Sequence, residues 1–157
     1  MIPYGLYVLT AMTADGQYTA ATVNWVTQAS FTPPLLAIAI KADSNSHVVV
    51  KQAGFFNLNI LGKGQGAIAF TFFKSASLSD GKLSGEPFHL GLNGAPVLDH
   101  APAYIELKLV TTIEGKGDHS VFLAEVTNVG VMSQPTGRPD DATLMLKDLG
   151  EKIYYGG

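Results

Sequence analysis

Apolar residues along this chain either alternate with polar ones or run together in strand-length blocks, and few stretches show the wider spacing of a long amphipathic helix. Gly5 to Ala11 (GLYVLTA) is rich in β-formers and ends at Thr13-Ala14-Asp15-Gly16, where Asp-Gly predicts a tight hairpin. A second strand begins near Tyr18 and runs through the small residues Thr19-Ala20-Ala21-Thr22 to Val23, Asn24 and Trp25. The chain then stays extended from Thr27 to Phe31, and Pro33-Pro34 is expected to stop pairing. Leu35 to Ile40 (LLAIAI) is continuously apolar, as in a central strand covered on both faces. Phe55 to Leu61 sets Phe56, Leu58 and Ile60 against Asn57 and Asn59, a period of two. Ala103 to Glu114 is the clearest strand, with Ile105, Leu107, Leu109 and Ile113 on one face and Glu106, Lys108, Thr112 and Glu114 on the other. Gly115 to Asp118 turns it back into an antiparallel partner, Ser120 to Met132.

Helical signals are short. Lys41 to Ser46 supplies several N-cap residues for a helix from about His47 to Ala53, with Gly54 as its stop. Ala67 to Phe73 fits either a short helix or a strand by pattern and is read as a helix. Gly62 to Gly66, the long polar stretch Lys74 to Gly94 and Gln134 to Asp141 read as loops, with a short extended piece at Ala95 to Leu98. The tail, with Leu144, Leu146, Leu149, Ile153, Tyr154 and Tyr155, is apolar enough to dock. Six or seven hairpin-linked strands with one or two helical insertions predict a mainly β, small antiparallel barrel, residues 1–157 forming a single domain.

Composition narrows the chemistry. The absence of cysteine among 157 residues removes disulfides, thiolate metal sites and a cysteine nucleophile. A net charge of −3 with 15% charged residues gives no basic footprint for nucleic acid. No apolar run approaches the roughly 20 residues that span a bilayer, and MIPYG has no basic region followed by an apolar core, so a cytoplasmic protein without membrane contact is expected. The mean hydropathy of +0.20 is high for so small a monomer, which predicts a homodimer or apolar surface covered by a ligand.

Four histidines, at 47, 89, 100 and 119, lack metal-ligand spacing, and His89 and His100 are expected to face solvent. Asp80, Glu86, Asp140 and Asp141 form no catalytic pair, and no GxSxG occurs. What remains is the strand, polar loop and helix N-terminus around residue 44, whose unpaired N–H groups and dipole suit an anion.

The order of DGxxxAATVNW, SFTPPLLAIAI, a polar loop ending in Ser46-His47, FFNLNIL, GAPVL, AYIE and GDHSVFLAEV resembles the flavin reductase-like, FMN-binding split-barrel family, from about Tyr4 to Val131. YGLYVLTA and SFTPP are also similar to the flavin domains of high-molecular-weight rubredoxins and flavodiiron proteins. The resemblance implies a split β-barrel of Greek-key type that binds FMN, with FAD or riboflavin as variants, and takes hydride from NADH or NADPH. Thr22, Val23, Asn24 and Trp25 would line the isoalloxazine; Lys41, Ser44, Asn45, Ser46 and His47 would hold the phosphate. Phe73 and Lys74 would meet the flavin from the second helix. Gly117-Asp118-His119 matches the family's GDH motif, which places His119 at the nicotinamide and makes it the catalytic candidate. Where the family often has an arginine, KADSNSH has none, leaving Lys41, His47 and Lys51 as positive groups. The implied activity is an NAD(P)H-dependent flavin reductase serving a monooxygenase or an electron-acceptor protein. A nicotinamide-independent electron carrier and a cofactor-free binding module are the alternatives.

Overall fold

The computed structural model describes residues 2–154, so the docking expected of Tyr155 falls outside the described residues. The chain is mainly β. Strands β1 (Tyr7–Met12), β2 (Tyr18–Val23), β3 (Val26–Phe31) and β4 (Pro34–Lys41) lead to helix α1 (Asn45–Ala53), strand β5 (Phe55–Ile60) and helix α2 (Gly66–Thr71). Short strands β6 (Leu78–Ser79), β7 (Lys82–Leu83), β8 (Glu86–Leu90) and β9 (Pro96–Leu98) follow, then the long hairpin β10 (Ala103–Ile113) and β11 (His119–Val131) and a helical turn, α3 (Pro139–Ala142). The antiparallel seven-stranded sheet has the order β2-β1-β5-β10-β11-β4-β3.

Its end strands, β2 and β3, are joined only by Asn24-Trp25 and do not pair with each other. The expected barrel is therefore split at this seam. Residues 34–41 also depart from expectation: Leu36, Ile38 and Ile40 are buried while Leu35, Ala37 and Ala39 are half-buried, so β4 has one core face and one partly open face. Pairing does not end at the prolines, because Phe31 faces Pro34 across a two-residue turn containing a cis Thr32-Pro33 bond.

Helix α1 begins at Asn45, two residues earlier than predicted. Ser44 is its N-cap and accepts a hydrogen bond from the His47 N–H, and Gly54 closes it at φ 70°, a left-handed conformation that glycine adopts without steric cost. Leu9, Ile38, Val50, Phe56, Leu107 and Phe122 fill the barrel. A second core gathers Leu6, Leu61, Phe72, Leu83, Leu98, Leu144 and Leu146, so the tail docks through its leucines, whereas Tyr154, also expected to dock, is exposed. The tail runs between two segments, Leu6 N–H donating to the Leu144 carbonyl and Leu144 N–H to that of Leu61.

Residues 74–94 are not a plain loop, since β6 to β9 form a four-stranded sheet of their own. The β8–β9 turn lies over polar groups that alternation alone would leave open to solvent. Asn57 and Asn59 are fully buried, donating to the Ala95 and Val8 carbonyls. Glu106 is 1% exposed; its carboxylate accepts from the Leu92 and Asn93 N–H groups and from Asn128 Nδ2. Of the two register shifts in the β10–β11 ladder, the one that inserts Val110 between Leu109 and Thr111 turns Ile113 outward, against its predicted core position.

Tyr104 faces Gly130 across that ladder, and its ring occupies the space a Cβ would need. Gly130→Ala should therefore cost about 1–3 kcal/mol through displacement of the ring, and a thermal melt should fall by roughly 2–4 °C per kcal/mol.

Candidate functional site

The split in the barrel is a cleft of about 480 Å³. One wall is β2 from Tyr18 to Val23; the opposite wall is Ala39 to Lys41 at the end of β4. Asp43 to Ser46, the entry to α1, closes one end, and Phe72 to Ala76 beyond α2 lies alongside. Helix α2 is fastened to β2 by two bonds, from Thr22 N–H to the Phe72 carbonyl and from Thr22 Oγ1 to the Ala69 carbonyl. The Thr22 hydroxyl thus points at α2, leaving backbone and small side chains toward the cleft. Ala20, Ala21 and Ala39 give its walls little relief, which suits a flat group.

Most side chains of the α1 entry are already engaged. Ser44 Oγ donates to the Lys41 carbonyl at 2.7 Å while capping the helix, and Asn45 Nδ2 donates to the Tyr18 carbonyl at 3.0 Å. Ser46 is buried and shares a 2.8 Å hydrogen bond with Thr19 Oγ1. These bonds fix the first turn of α1 against β2 and orient its N–H groups toward the cleft end. Lys41 Nζ and Lys74 bring positive charge, but Asp43, 3.1 Å from Lys41, partly offsets it. The chain's sole arginine, Arg138, pairs with Asp140 on a distant loop.

Residues 24, 25 and 119 sit beyond the cleft wall. Asn24 is buried, and its Nδ2 is the one buried side-chain polar atom without a hydrogen-bond partner among the described residues. The Trp25 and His119 rings lie 4.6 Å apart with planes tilted by 47°. His119 pairs with Lys41 across β11 and β4, so both residues project from the same face of the sheet, the face that Ala39 shares. The His119 side chain is 11% accessible, and its Nδ1 lies 2.9 Å from the exposed Asp118 carboxylate. That hydrogen bond, then the imidazole's charge, holds the Asp118 carboxyl below its ordinary value, so this pairing is retained above that value and lost only as pH falls through the lowered one. The turn is tied to the cleft rim by the Ala42 N–H, which donates to the Asp118 carbonyl.

Of the residues singled out by sequence, Thr22, Val23, Lys41, Ser44, Asn45, Ser46, Phe73 and Lys74 meet along the cleft. Asn24 and Trp25 stand at the strand crossing, and Gly117, Asp118 and His119 at the neighbouring turn. The His47 ring turns the other way, behind the first turn of α1, toward Ser120 and Glu114. Sequence reasoning passed over Ala39, Phe72, Ser75 and Ala76. The alternation of alanine with larger residues in LLAIAI signalled a thin, partly open face at Ala37 and Ala39; Ser75 and Ala76 carry no such signal. His89 and His100 are exposed, paired with Asp99 and Glu86. Among the described residues no three His, Asp or Glu side chains gather as a metal site, and no helix is long and apolar enough to cross a membrane.

A larger groove of about 770 Å³ lies between the ends of β5, β10 and β11 and the loop before α3. It contains none of the residues with a sequence signal.

The chain matches the flavin reductase like domain over residues 1–149. It is 33% identical over 135 residues to the reductase component of a 4-nitrophenol 4-monooxygenase/4-nitrocatechol 2-monooxygenase from Rhodococcus opacus, covering 86% of this chain and 68% of that one. It is 32% identical over 136 residues to a high molecular weight rubredoxin of Moorella thermoacetica, spanning 85% of this chain and 58% of that protein. Among solved structures, the NADH:FAD oxidoreductase SgcE6 of Streptomyces globisporus superposes with a TM-score of 0.72 at 29% identity, over 83% of this chain and 71% of that one. Split barrel, cleft and sequence match agree: this chain belongs to the flavin reductase-like family.

Proposed function

We propose that the protein is an NAD(P)H:flavin oxidoreductase that binds FMN in the cleft at the barrel seam and hands reduced flavin or electrons to a partner. The observation that carries this reading is the convergence, on one seam, of alanine-lined walls, a helix N-terminus and the Trp25–His119 pair. The donor set fits a flavin phosphate: backbone N–H groups of the α1 turn supported by Lys41 and Lys74. The buried, unpartnered Asn24 amide beside the seam fits a ligand rich in ring carbonyls.

When bound, a flavin supplies hydride acceptance at its N5, chemistry the side chains here lack. The chain's own residues position and shield. Ala20, Ala21 and Ala39 leave room for a flat ring system, and Phe73 limits water at its side. His119, held by Trp25 and Asp118 on the sheet face it shares with Lys41, would orient the nicotinamide beside the flavin. No side chain needs to act as acid or base for the transfer itself. With Asp43 drawing on Lys41 and no arginine nearby, the flavin is held loosely enough to leave as product, as delivery to a monooxygenase requires.

An NAD(P)H-linked reaction would draw on the cytoplasmic nicotinamide pool, which supports a cytoplasmic location. The outward apolar residues Val110, Val129 and Val131 on the β10–β11 hairpin support a homodimer.

Titration with FMN, FAD and riboflavin, followed by flavin fluorescence, tests the binding; oxidation of NADH and NADPH with FMN supplied tests the activity. Binding without nicotinamide oxidation would point to an electron carrier, the reading favoured by similarity to the rubredoxin. No binding of any flavin would leave a cofactor-free module. Ala21→Leu, which projects bulk from the half-buried position on β2, should weaken FMN binding at least about tenfold. Its melting temperature should move by less than about 2 °C, the change expected of a substitution that displaces no core contact.

A further inference from the structure

The loop entering α1 and the turn between β10 and β11 stand at two ends of the proposed site, and one side chain joins them. His47 lies in the first turn of α1, three residues after the Ser44 cap. Its Nε2 is 3.0 Å from Ser120 Oγ, at the start of β11, and 3.1 Å from Glu114 Oε1, just beyond β10. These two partners flank the segment Gly115 to His119 on either side. The hydrogen bond at Nε2 is the one shared with Ser120, while the Glu114 carboxylate stands within ion-pair distance of the same nitrogen and attracts it whenever the ring is protonated. Lys51, one helical turn further along α1, reaches the same Glu114 oxygen at 2.7 Å and holds its carboxyl below the usual range, chiefly through that hydrogen bond. The imidazole is 12% accessible and stands edge-on to Phe122, 5.1 Å between centroids, which fixes its rotamer.

We infer that His47 is a positioning residue: it binds no phosphate, but ties the α1 entry to both flanks of the Gly115–His119 turn and so sets the placement of His119 relative to the cleft. The inference rests on the proposed reductase function for its kinetic consequence, not for the tie itself. The neighbouring groups are suited to that work. Ser120 and Phe122 come from β11, Glu114 from the end of β10 and Lys51 from α1, so a single ring is gripped from three elements.

The test compares His47→Phe, which keeps the ring's bulk against Phe122 but has no donor, with His47→Gln, whose amide retains one. Hydrogen exchange of the Ala42 amide, which donates to the Asp118 carbonyl of this turn, should quicken about tenfold or more in His47→Phe and return to within about threefold of wild type in His47→Gln, with both proteins folded by circular dichroism. In FMN-supplied assays, His47→Phe should raise the nicotinamide KM by about tenfold while the dissociation constant for FMN, read by fluorescence, stays within about twofold. Weakened FMN binding with unchanged exchange would overturn the inference and return His47 to a phosphate contact. Exchange unchanged with all kinetics unchanged would equally overturn it. If the wild-type protein oxidises no nicotinamide, the reductase reading fails, and the exchange result alone still decides the tie. Should His47→Phe fail to fold, the same exchange comparison is made with Ser120→Ala and Glu114→Gln, each removing one arm of the tie.

Discussion

Replacing His119 by alanine should slow NAD(P)H oxidation about 100-fold, the scale on which a misplaced reactant loses rate, while leaving FMN affinity within about threefold. The residue lies across the ladder from Lys41 and packs, tilted, against Trp25, so its removal deletes one wall of the space beside the cleft without touching the α1 entry or β2. Stopped-flow oxidation of NADH, alongside an FMN titration of the same variant, separates the two effects. Loss of FMN binding in parallel with rate would move His119 from the nicotinamide side to the flavin side. An unchanged rate would favour the carrier reading.

Glu106→Ala should be the most damaging single truncation outside the cleft. It would strand the Leu92 and Asn93 N–H groups and the Asn128 amide that now converge on one carboxylate, and leave a void against Gly91 and Asn57. Unsatisfied buried donors cost about 1–3 kcal/mol each, and part of the turn regains water, so a loss of about 3 kcal/mol is expected. For a chain of this size that corresponds to a fall of roughly 6–12 °C in melting temperature. Glu106→Gln keeps one acceptor and should lose only about 1 kcal/mol. Equal melts for the two variants would show that the acceptor oxygen kept in Glu106→Gln contributes nothing to holding the β8–β9 turn.

The strands were legible because their period of two survives in the sequence, as did the hairpin at Asp15-Gly16 and the cap at Ser44. Alternation states which residues share a face, however, not what covers it. Asn57, Asn59 and Glu106 read as an outward polar face, and the β8–β9 turn, hidden in a glycine-rich stretch, buries all three. The bulge at Val110 that rotates Ile113 outward leaves no local mark, because it lies among ordinary β-formers. In the site, the resemblance carried by TVNW, DSNS and GDH pointed to Thr22, Val23, Ser44 to Ser46, Phe73 and Lys74, which meet along the cleft. Side-chain direction was beyond the pattern: at position 47 either face of the first helical turn was open, and the choice is made by Ser120 and Glu114, more than sixty residues away. The split itself lies at the Asn24-Trp25 link, where the chain passes from one edge of the sheet to the other without β2 and β3 pairing.

The most direct measurement is anaerobic mixing of the FMN-supplied protein with NADH, and separately with NADPH, while the visible absorption of the flavin is followed. Bleaching of that band by at least one nicotinamide, far faster than in free FMN and slowed in Ala21→Leu, is the outcome expected for hydride transfer at the seam. A band that persists at the free-FMN rate with both nicotinamides would contradict it.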